Sequence, residues 1–356
     1  MRFSSRALPR HVPDSTKGIF KTNGIQIIMY RITTTCCCPR TESEIIAPPL
    51  SLSHISQQLQ LWVNARQADE DEMRSEALKR IAECLHQDCR ELNLSGCKLR
   101  DWPPYIPTCV RHINASHNHL STLPPVSLVQ LESLDLQDNW LVELPEDYLS
   151  PLAWLNVSNN FLQDLPNPLY STLKRLMVNH NPLGRLPATL PAPLEWLEAR
   201  QCKLREIPQL APALLYLDVS DNAITSPPFH WPRSLIALLA SNNLLDDLGE
   251  LPDSLTQLVV DNNRLTHFLE PLAESLEMVD ISNNLIVNIS SQILPSLRKL
   301  RADHNLIQDL PEYLCDPRCK IQLWLRNNPL SAETQSAIAS ANRISVKFIG
   351  NLRIIH

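Results

Sequence analysis

Three histidines are the first residues whose chemistry invites a site, because His117, His180 and His304 recur at one place in a repeating pattern. A metal would need them to converge on a single point. They stand three and six repeats apart. At one strand spacing per repeat, neighbours are separated by roughly 14 Å or more. We therefore read them as solvated. Cys315 and Cys319 form a C-x3-C pair, but no second pair lies nearby at zinc spacing. Cys84, Cys89 and Cys109 each suit a cap or core position. The sequence offers no P-loop, no G-x-G-x-x-G and no H-E-x-x-H, and no nucleophile can be matched to a base. The expectation is a chain without catalytic residues, metal or cofactor. Cys36, Cys37 and Cys38 form a triple thiol in a basic segment. Their two readings are S-palmitoylation, which would bring a membrane contact, and an idle unstructured run.

Binding chemistry is better supplied. Large side chains recur six and four positions before a column of polar residues. Trp154, Trp196, Tyr216 and Met278 occupy the first place, together with Arg175. Met177, Glu198, Asp218, Leu239 and Val259 occupy the second. Trp, Tyr and Arg dominate interaction hot spots, and grouped apolar side chains mark interfaces. These residues are expected to line one outward face and grip a partner. The competing reading is that several pack sideways on each other.

The elements that would hold such a face follow from the repetition itself. LESLDLQDNWLVELP, LAWLNVSNNFLQDLP and LRKLRADHNLIQDLP share one spacing, L-x-x-L-x-L-x-x-N-x-L. The polar column runs Cys97, Asn118, Asn139, Asn160, Asn181, Cys202, Asn222, Asn243, Asn263, Asn284, Asn305 and Asn328. Most intervals are 21 residues, with two of 20 and a last of 23. This is the leucine-rich repeat signature. No single repeat can bury Leu131, Leu134, Leu136 and Leu141, but stacking turns them into continuous ladders. The L-x-L core is expected to be a short parallel strand. The Asn amide should satisfy backbone groups freed by the turn, so Asn160→Leu should cost about 1–3 kcal/mol. Cys97 and Cys202 are read as small structural replacements for Asn.

Prolines recur six residues after that column, at Pro103, Pro124, Pro145, Pro166, Pro187, Pro208, Pro228 and Pro311. Proline favours an extended polyproline II path, and about ten residues leave no room for a helix on the return leg. The pattern lapses at Gly249, Leu269 and Ser290, where a different outer face is expected. The fold class is therefore an α/β-type solenoid: a leucine-rich repeat horseshoe of about 12 short repeats, with a parallel concave sheet and an extended convex side.

Residues 1–53 show no sustained periodicity and are expected to be disordered. Residues 54–88 carry helical spacing in two pieces, flanking the acidic run Asp69 to Glu72, and would cap the stack. Repeats fill 89–330. Residues 331–356 begin with a capping signal, Ser331 and Thr334 near Glu333, and supply a capping helix and tail. Residues 1–50 hold seven Lys/Arg against three Asp/Glu, so the net charge of −6 leaves −10 on the remainder. An acidic body disfavours nucleic acid and favours a basic or neutral partner. No run of 18 apolar residues suggests a membrane span, and no Sec signal peptide is evident. Scattered cysteines suggest a reducing compartment. Met29 is an alternative start.

The tails LVELP, LQDLP, LGRLP and IQDLP, followed by LPAPLEWL and LPDSLTQL, resemble the short repeat of bacterial type III secreted effectors of the IpaH and YopM family. The lead-in from Trp62 through Arg74, Ala77, Ile81 and Cys84–Leu85 to LNLSGCKLRDWP resembles that family's N-terminal cap, and NNPLSAETQ resembles its last repeat. Many such proteins continue into a ubiquitin ligase domain with a Cys-x-Asp motif. Here 26 residues follow Leu330, and Cys315-Asp316 lies inside a repeat. The resemblance thus implies the repeats-only, YopM-type arrangement. It implies export by a type III system, with residues 1–53 as the signal and as a grip for a secretion chaperone. It further implies non-covalent capture of a host protein in the host cytoplasm or nucleus. The alternatives are the recognition half of a ligase whose catalytic half is separate, and a repeat protein that never leaves its cell.

Overall fold

The computed structural model describes residues 17–22, 25–30, 52–65, 71–124, 130–146, 151–267, 273–292, 294–316 and 318–340. Cys36, Cys37 and Cys38 lie outside these residues, as do Leu269 and everything after Ser340. Within the stretch expected to lack order, strands β1 (Lys17–Thr22) and β2 (Ile25–Tyr30) pair antiparallel, with Thr22 opposite Ile25. The intervening dipeptide is Asn23-Gly24, a strong hairpin signal when apolar residues flank it.

Helices α1 (Leu52–Val63) and α2 (Arg74–Gln87) form the N-terminal cap. Ile55 and Leu59 of α1 and Ala77, Leu78, Ile81 and Cys84 of α2 are buried against the first coil. Arg74 fastens the assembly although its side chain is only 4% exposed. Its guanidinium bonds Glu72 at 2.8 Å and the Trp62 carbonyl at 2.8 Å, and reaches Asp101 at 3.3 Å. It also lies 5.2 Å from the Trp62 ring centroid. The backbone N–H of Met73 donates to the Cys97 carbonyl of the first coil at 2.9 Å. Cys84 and Cys89, both read as cap or core residues, are joined as a disulfide across the end of α2, with Cα atoms 5.1 Å apart.

Twelve three-residue strands then make one parallel sheet in sequence order. They are β3 (Glu91–Asn93), β4 (His112–Asn114), β5 (Ser133–Asp135), β6 (Trp154–Asn156), β7 (Arg175–Met177) and β8 (Trp196–Glu198). They continue with β9 (Tyr216–Asp218), β10 (Ala237–Leu239), β11 (Gln257–Val259), β12 (Met278–Asp280), β13 (Lys299–Arg301) and β14 (Gln322–Trp324). The middle residue of every strand is buried, and its leucines stack into one core from end to end.

The Asn column works as a rivet between coils. Asn160 Nδ2 donates to the Leu136, Val157 and Ser158 carbonyls, and its Oδ1 accepts the Leu141 N–H at 2.9 Å. One side chain thereby closes its own turn and ties it to the coil before. Cys202 fills the same slot and sends its thiol toward the Val178 carbonyl at 3.2 Å. Burial pushes that thiol up to about 11. A thiol offers no carbonyl oxygen, so the Leu183 N–H turns to the Asn181 carbonyl instead.

Between the strands the outer side of the described residues is irregular apart from the single turn α3 (Glu312–Cys315) and one parallel bridge between Thr189 and Gln209. Serines and a threonine before the ladder leucine brace this leg. Ser234, Ser254 and Thr172 donate to the Leu214, Leu235 and Leu152 carbonyls of the preceding coils. The stack ends at α4 (Ala332–Ser340), whose Thr334 N–H is accepted by the Ser331 hydroxyl. No helix among the described residues is long and apolar enough to cross a membrane.

Candidate partner-binding surface

The outward residues of the strands are placed by the parallel register. Trp154, Arg175, Trp196 and Tyr216 are successive partners on β6 to β9. Trp196 and Tyr216 stack, with centroids 3.7 Å apart, and the Arg175 guanidinium lies 5.7 Å from the Trp196 centroid. Beside this ladder, Glu198 accepts the Trp196 indole N–H at 2.8 Å and the Asn179 amide at 2.7 Å. Arg200 bonds Asp221 at 2.9 Å and approaches Asp218 at 3.9 Å. Further along, Leu239 and Val259 are register partners, and Met278 follows Gln257, making a half-buried apolar floor.

Side-by-side packing therefore holds much of the face in shape. Trp154, Met177, Trp196, Glu198, Tyr216, Leu239, Val259 and Met278 are half-buried, with part of each surface left for a partner. Asp218 differs. It is 4% exposed, and its Oδ1 accepts the backbone N–H of Ser220 at 3.0 Å. The same bond recurs at Asn114, Asp135, Asn156 and Asp280, each closing onto the residue two positions later. An Asp or Asn at this column is a turn-former, and the backbone holds the Asp218 carboxylate in place.

Charge and burial act together here. Burial lifts the Asp218 carboxyl above the usual carboxylate range, Glu198 adds to the rise, and the Ser220 N–H and Arg200 oppose it. Burial, with the charges of Asp218 and Glu198, pushes the Tyr216 phenol up to about 12. The centre of the face is thus acidic and rimmed by two arginines.

The histidine column proves to be a conformational one. His117, His180 and His304 have φ of 55°, 56° and 56°, and the same place holds Asp138, Asn159, Gln201, Asp221, Asn242, Asn262, Asn283 and Asn327 at similar values. No group of three metal-ligating side chains gathers among the described residues. His117 instead meets Asp138 at 3.1 Å.

Several exposed apolar side chains in the repeats were not among the residues singled out by sequence, Phe229 being the most exposed at 93%. Trp140, Phe161, Leu285 and Leu306 directly follow the Asn column, and Val142 and Val287 lie two residues further on. They line the lateral edge of the solenoid. The signal was available in the same alignment, one column along.

No family model matches the chain, and no curated protein does. Solved structures do. YopM, a leucine-rich effector protein from Yersinia pestis, is 25% identical at a TM-score of 0.55, over 81% of this chain and 98% of that one. The functional domain of the Listeria monocytogenes protein InlJ is 19% identical at a TM-score of 0.63, over 73% and 60%. A leucine-rich repeat protein of Leptospira interrogans is 21% identical at 0.55, over 66% and 71%. The fold is that of the leucine-rich repeat proteins, bacterial effectors included.

Proposed function

We propose that this chain is a non-catalytic scaffold of the IpaH/YopM kind, carried into a host cell by a type III system, that captures a host protein on its concave face. The observation carrying this reading is the Arg175–Trp196–Tyr216 ladder with Glu198 bonded at its side. Flat aromatic faces held by neighbours lose little freedom on binding, which is why such residues anchor interfaces. The parallel strands beneath are riveted coil to coil, so the face meets its partner already shaped. Capture then acts by occupying a surface or by joining partners, with no bond made or broken.

The decisive experiment is an affinity pull-down from host lysate with the wild-type chain and with Trp154→Ala plus Trp196→Ala. A partner retained by the first and lost from the second, with unchanged thermal melts, supports the reading. Identical capture by both removes the concave face from it. Export is tested separately, by fusing residues 1–60 to a reporter and following type III-dependent release.

A further inference from the structure

The aromatic ladder of the concave face is closed at one end and open at the other. Arg175, Trp196 and Tyr216 are register partners on β7, β8 and β9, and Ala237 is the next partner on β10. The two rings stack along the sheet, with centroids 3.7 Å apart and planes 7° from parallel. Their outer faces therefore look along the row of register partners. The outer face of Trp196 meets the Arg175 guanidinium, 5.7 Å from the ring centroid. The outer face of Tyr216 looks toward Ala237, whose side chain is a single methyl. A methyl cannot cover a phenol ring. The next side chain in the row is Gln257 on β11. At one strand spacing per coil, the Tyr216 and Gln257 backbones are roughly 10 Å apart. A planar group packs at about 4 Å from a ring, so one such group fits between them.

Ala237 is 8% exposed and forms the floor of this slot, with taller side chains to both sides. Among the described residues neither the Tyr216 hydroxyl nor the Gln257 amide has a hydrogen-bond partner. Charge selects the group that belongs there. The outward residues of β8 to β11 and of the turns after them include Glu198, Asp218, Asp221 and Asp261 against Arg200. Burial pushes the Tyr216 phenol up to about 12, and the charges of Asp218 and Glu198 add to the rise, so the slot lies in a negative field. A cation is favoured in such a field, and a planar guanidinium stacks on a ring where a compact ammonium does not. The chain makes the same pairing at the closed end of the ladder with Arg175, and again with Arg301, 5.1 Å from the Trp324 centroid. Exposed Ile236, just before Ala237, and half-buried Leu239, two residues after it, offer apolar surface to a methylene stem.

We propose that the protein captured on the concave face places an arginine side chain in this slot, its guanidinium flat against Tyr216 and above Ala237. The ladder then runs Arg175, Trp196, Tyr216 and the incoming arginine, with a cation at each end. The partner is accordingly one that presents an arginine from a basic or neutral surface, and lysine does not substitute for it. This rests on concave capture and adds the side chain that such capture selects.

The test uses the full chain and two synthetic peptides of equal charge, hexa-arginine and hexa-lysine, with affinities measured by calorimetry at constant ionic strength. Hexa-arginine should bind the wild type about tenfold tighter, the gain from one guanidinium on a partly desolvated ring. Ala237→Leu fills the slot and should bring hexa-arginine down to the affinity of hexa-lysine, which should not change. Ala237→Arg supplies the guanidinium from the chain itself. It should melt at or above the wild-type temperature and should lose the preference for arginine, which keeps the comparison open even where Ala237→Leu fails to fold. Equal binding of the two peptides by the wild type overturns the proposal. So does a preference that survives in either variant, or a marked fall in the melting temperature of Ala237→Arg. These results are separable from a failure of concave capture. A lysate partner that is lost from Trp154→Ala plus Trp196→Ala but fully retained by Ala237→Leu leaves the capturing face in place and removes only the arginine.

Discussion

Trp196 and Tyr216 lie face to face on neighbouring strands, with planes 7° from parallel. Parallel pairing with no stagger puts the two side chains directly over one another, because they are register partners on β8 and β9. The stack buries one side of each ring, and the Arg175 guanidinium on the preceding strand lies 5.7 Å from the Trp196 centroid. Burial raises the Tyr216 phenol, and the charges of Asp218 and Glu198 add to the rise.

That setting is measurable by alkaline titration. The phenol moves from the ordinary 10.0 up to about 12, so the folded state keeps its proton where the unfolded chain loses it. The associated stability is complete below the ordinary value and is lost as pH rises through the folded one. The phenolate absorbance difference between wild type and Tyr216→Phe should show a late ionisation. Glu198→Gln should bring it earlier by removing one negative neighbour. Ionisation of Tyr216 in the ordinary tyrosine range would contradict the arrangement.

Asp218 should tolerate neutralisation and reject reversal. Asparagine at this column still offers an oxygen to the residue two positions on, as Asn114 and Asn156 do. Asp218→Asn is thus expected to melt at or above the wild-type temperature. Asp218→Lys strips the Ser220 N–H of its acceptor and sets a cation beside Arg200, at about 1–3 kcal/mol. The pH dependence has a definite sign. A carboxyl raised in the folded state binds protons more tightly there than in the unfolded chain, so its contribution to stability falls as pH rises through the raised value. Melts of wild type and Asp218→Asn should accordingly converge in acid and separate toward neutral pH.

The Asn column was legible because its residue type and its period are dictated by one backbone turn repeated twelve times. Other features obeyed rules just as strict but did not announce themselves by a single letter. The place before the Asn column accepts Asn, Asp, Gln, His or Gly, and only their shared tolerance of the left-handed region unites them. Asp218 looked like a free acid because the turn it closes uses Asp and Asn alike. The antiparallel pairing of β1 with β2 was hidden in a segment that otherwise lacks period. The exposed edge residues alternate among Trp, Phe, Leu, Lys and Pro, since nothing in the fold fixes them.

The left-handed column yields its own prediction. His180 has φ 56° and donates its backbone N–H to the Arg200 carbonyl at 2.7 Å. Asparagine or glycine should replace it without loss, while valine, whose branched Cβ is crowded in that region, should cost about 1–3 kcal/mol. Denaturant melts of His180→Asn and His180→Val decide the matter. Equal destabilisation by both would mean that the imidazole itself, and not the backbone, is what the site requires.

Arg74 should be the most sensitive residue of the cap. It and Glu72 are almost wholly buried, with side chains 4% and 1% exposed. The guanidinium joins the α1 carbonyl end at Trp62, the Glu72 carboxylate and Asp101 of the first coil. Arg74→Ala would leave Glu72 charged and buried with the Arg100 backbone N–H as its remaining bond. Breaking one partner of a buried pair costs about 3–5 kcal/mol. Loss should begin at the end of the stack, because coils are coupled only to their neighbours. Early proteolytic cleavage between α1 and α2 and fast hydrogen exchange in β3 are expected, with β8 and β9 still protected. Arg74→Lys, which retains the charge but cannot span all three groups, should fall between. A uniform loss of protection across all coils would show instead that the solenoid melts as one unit and that the cap is not a separate seal.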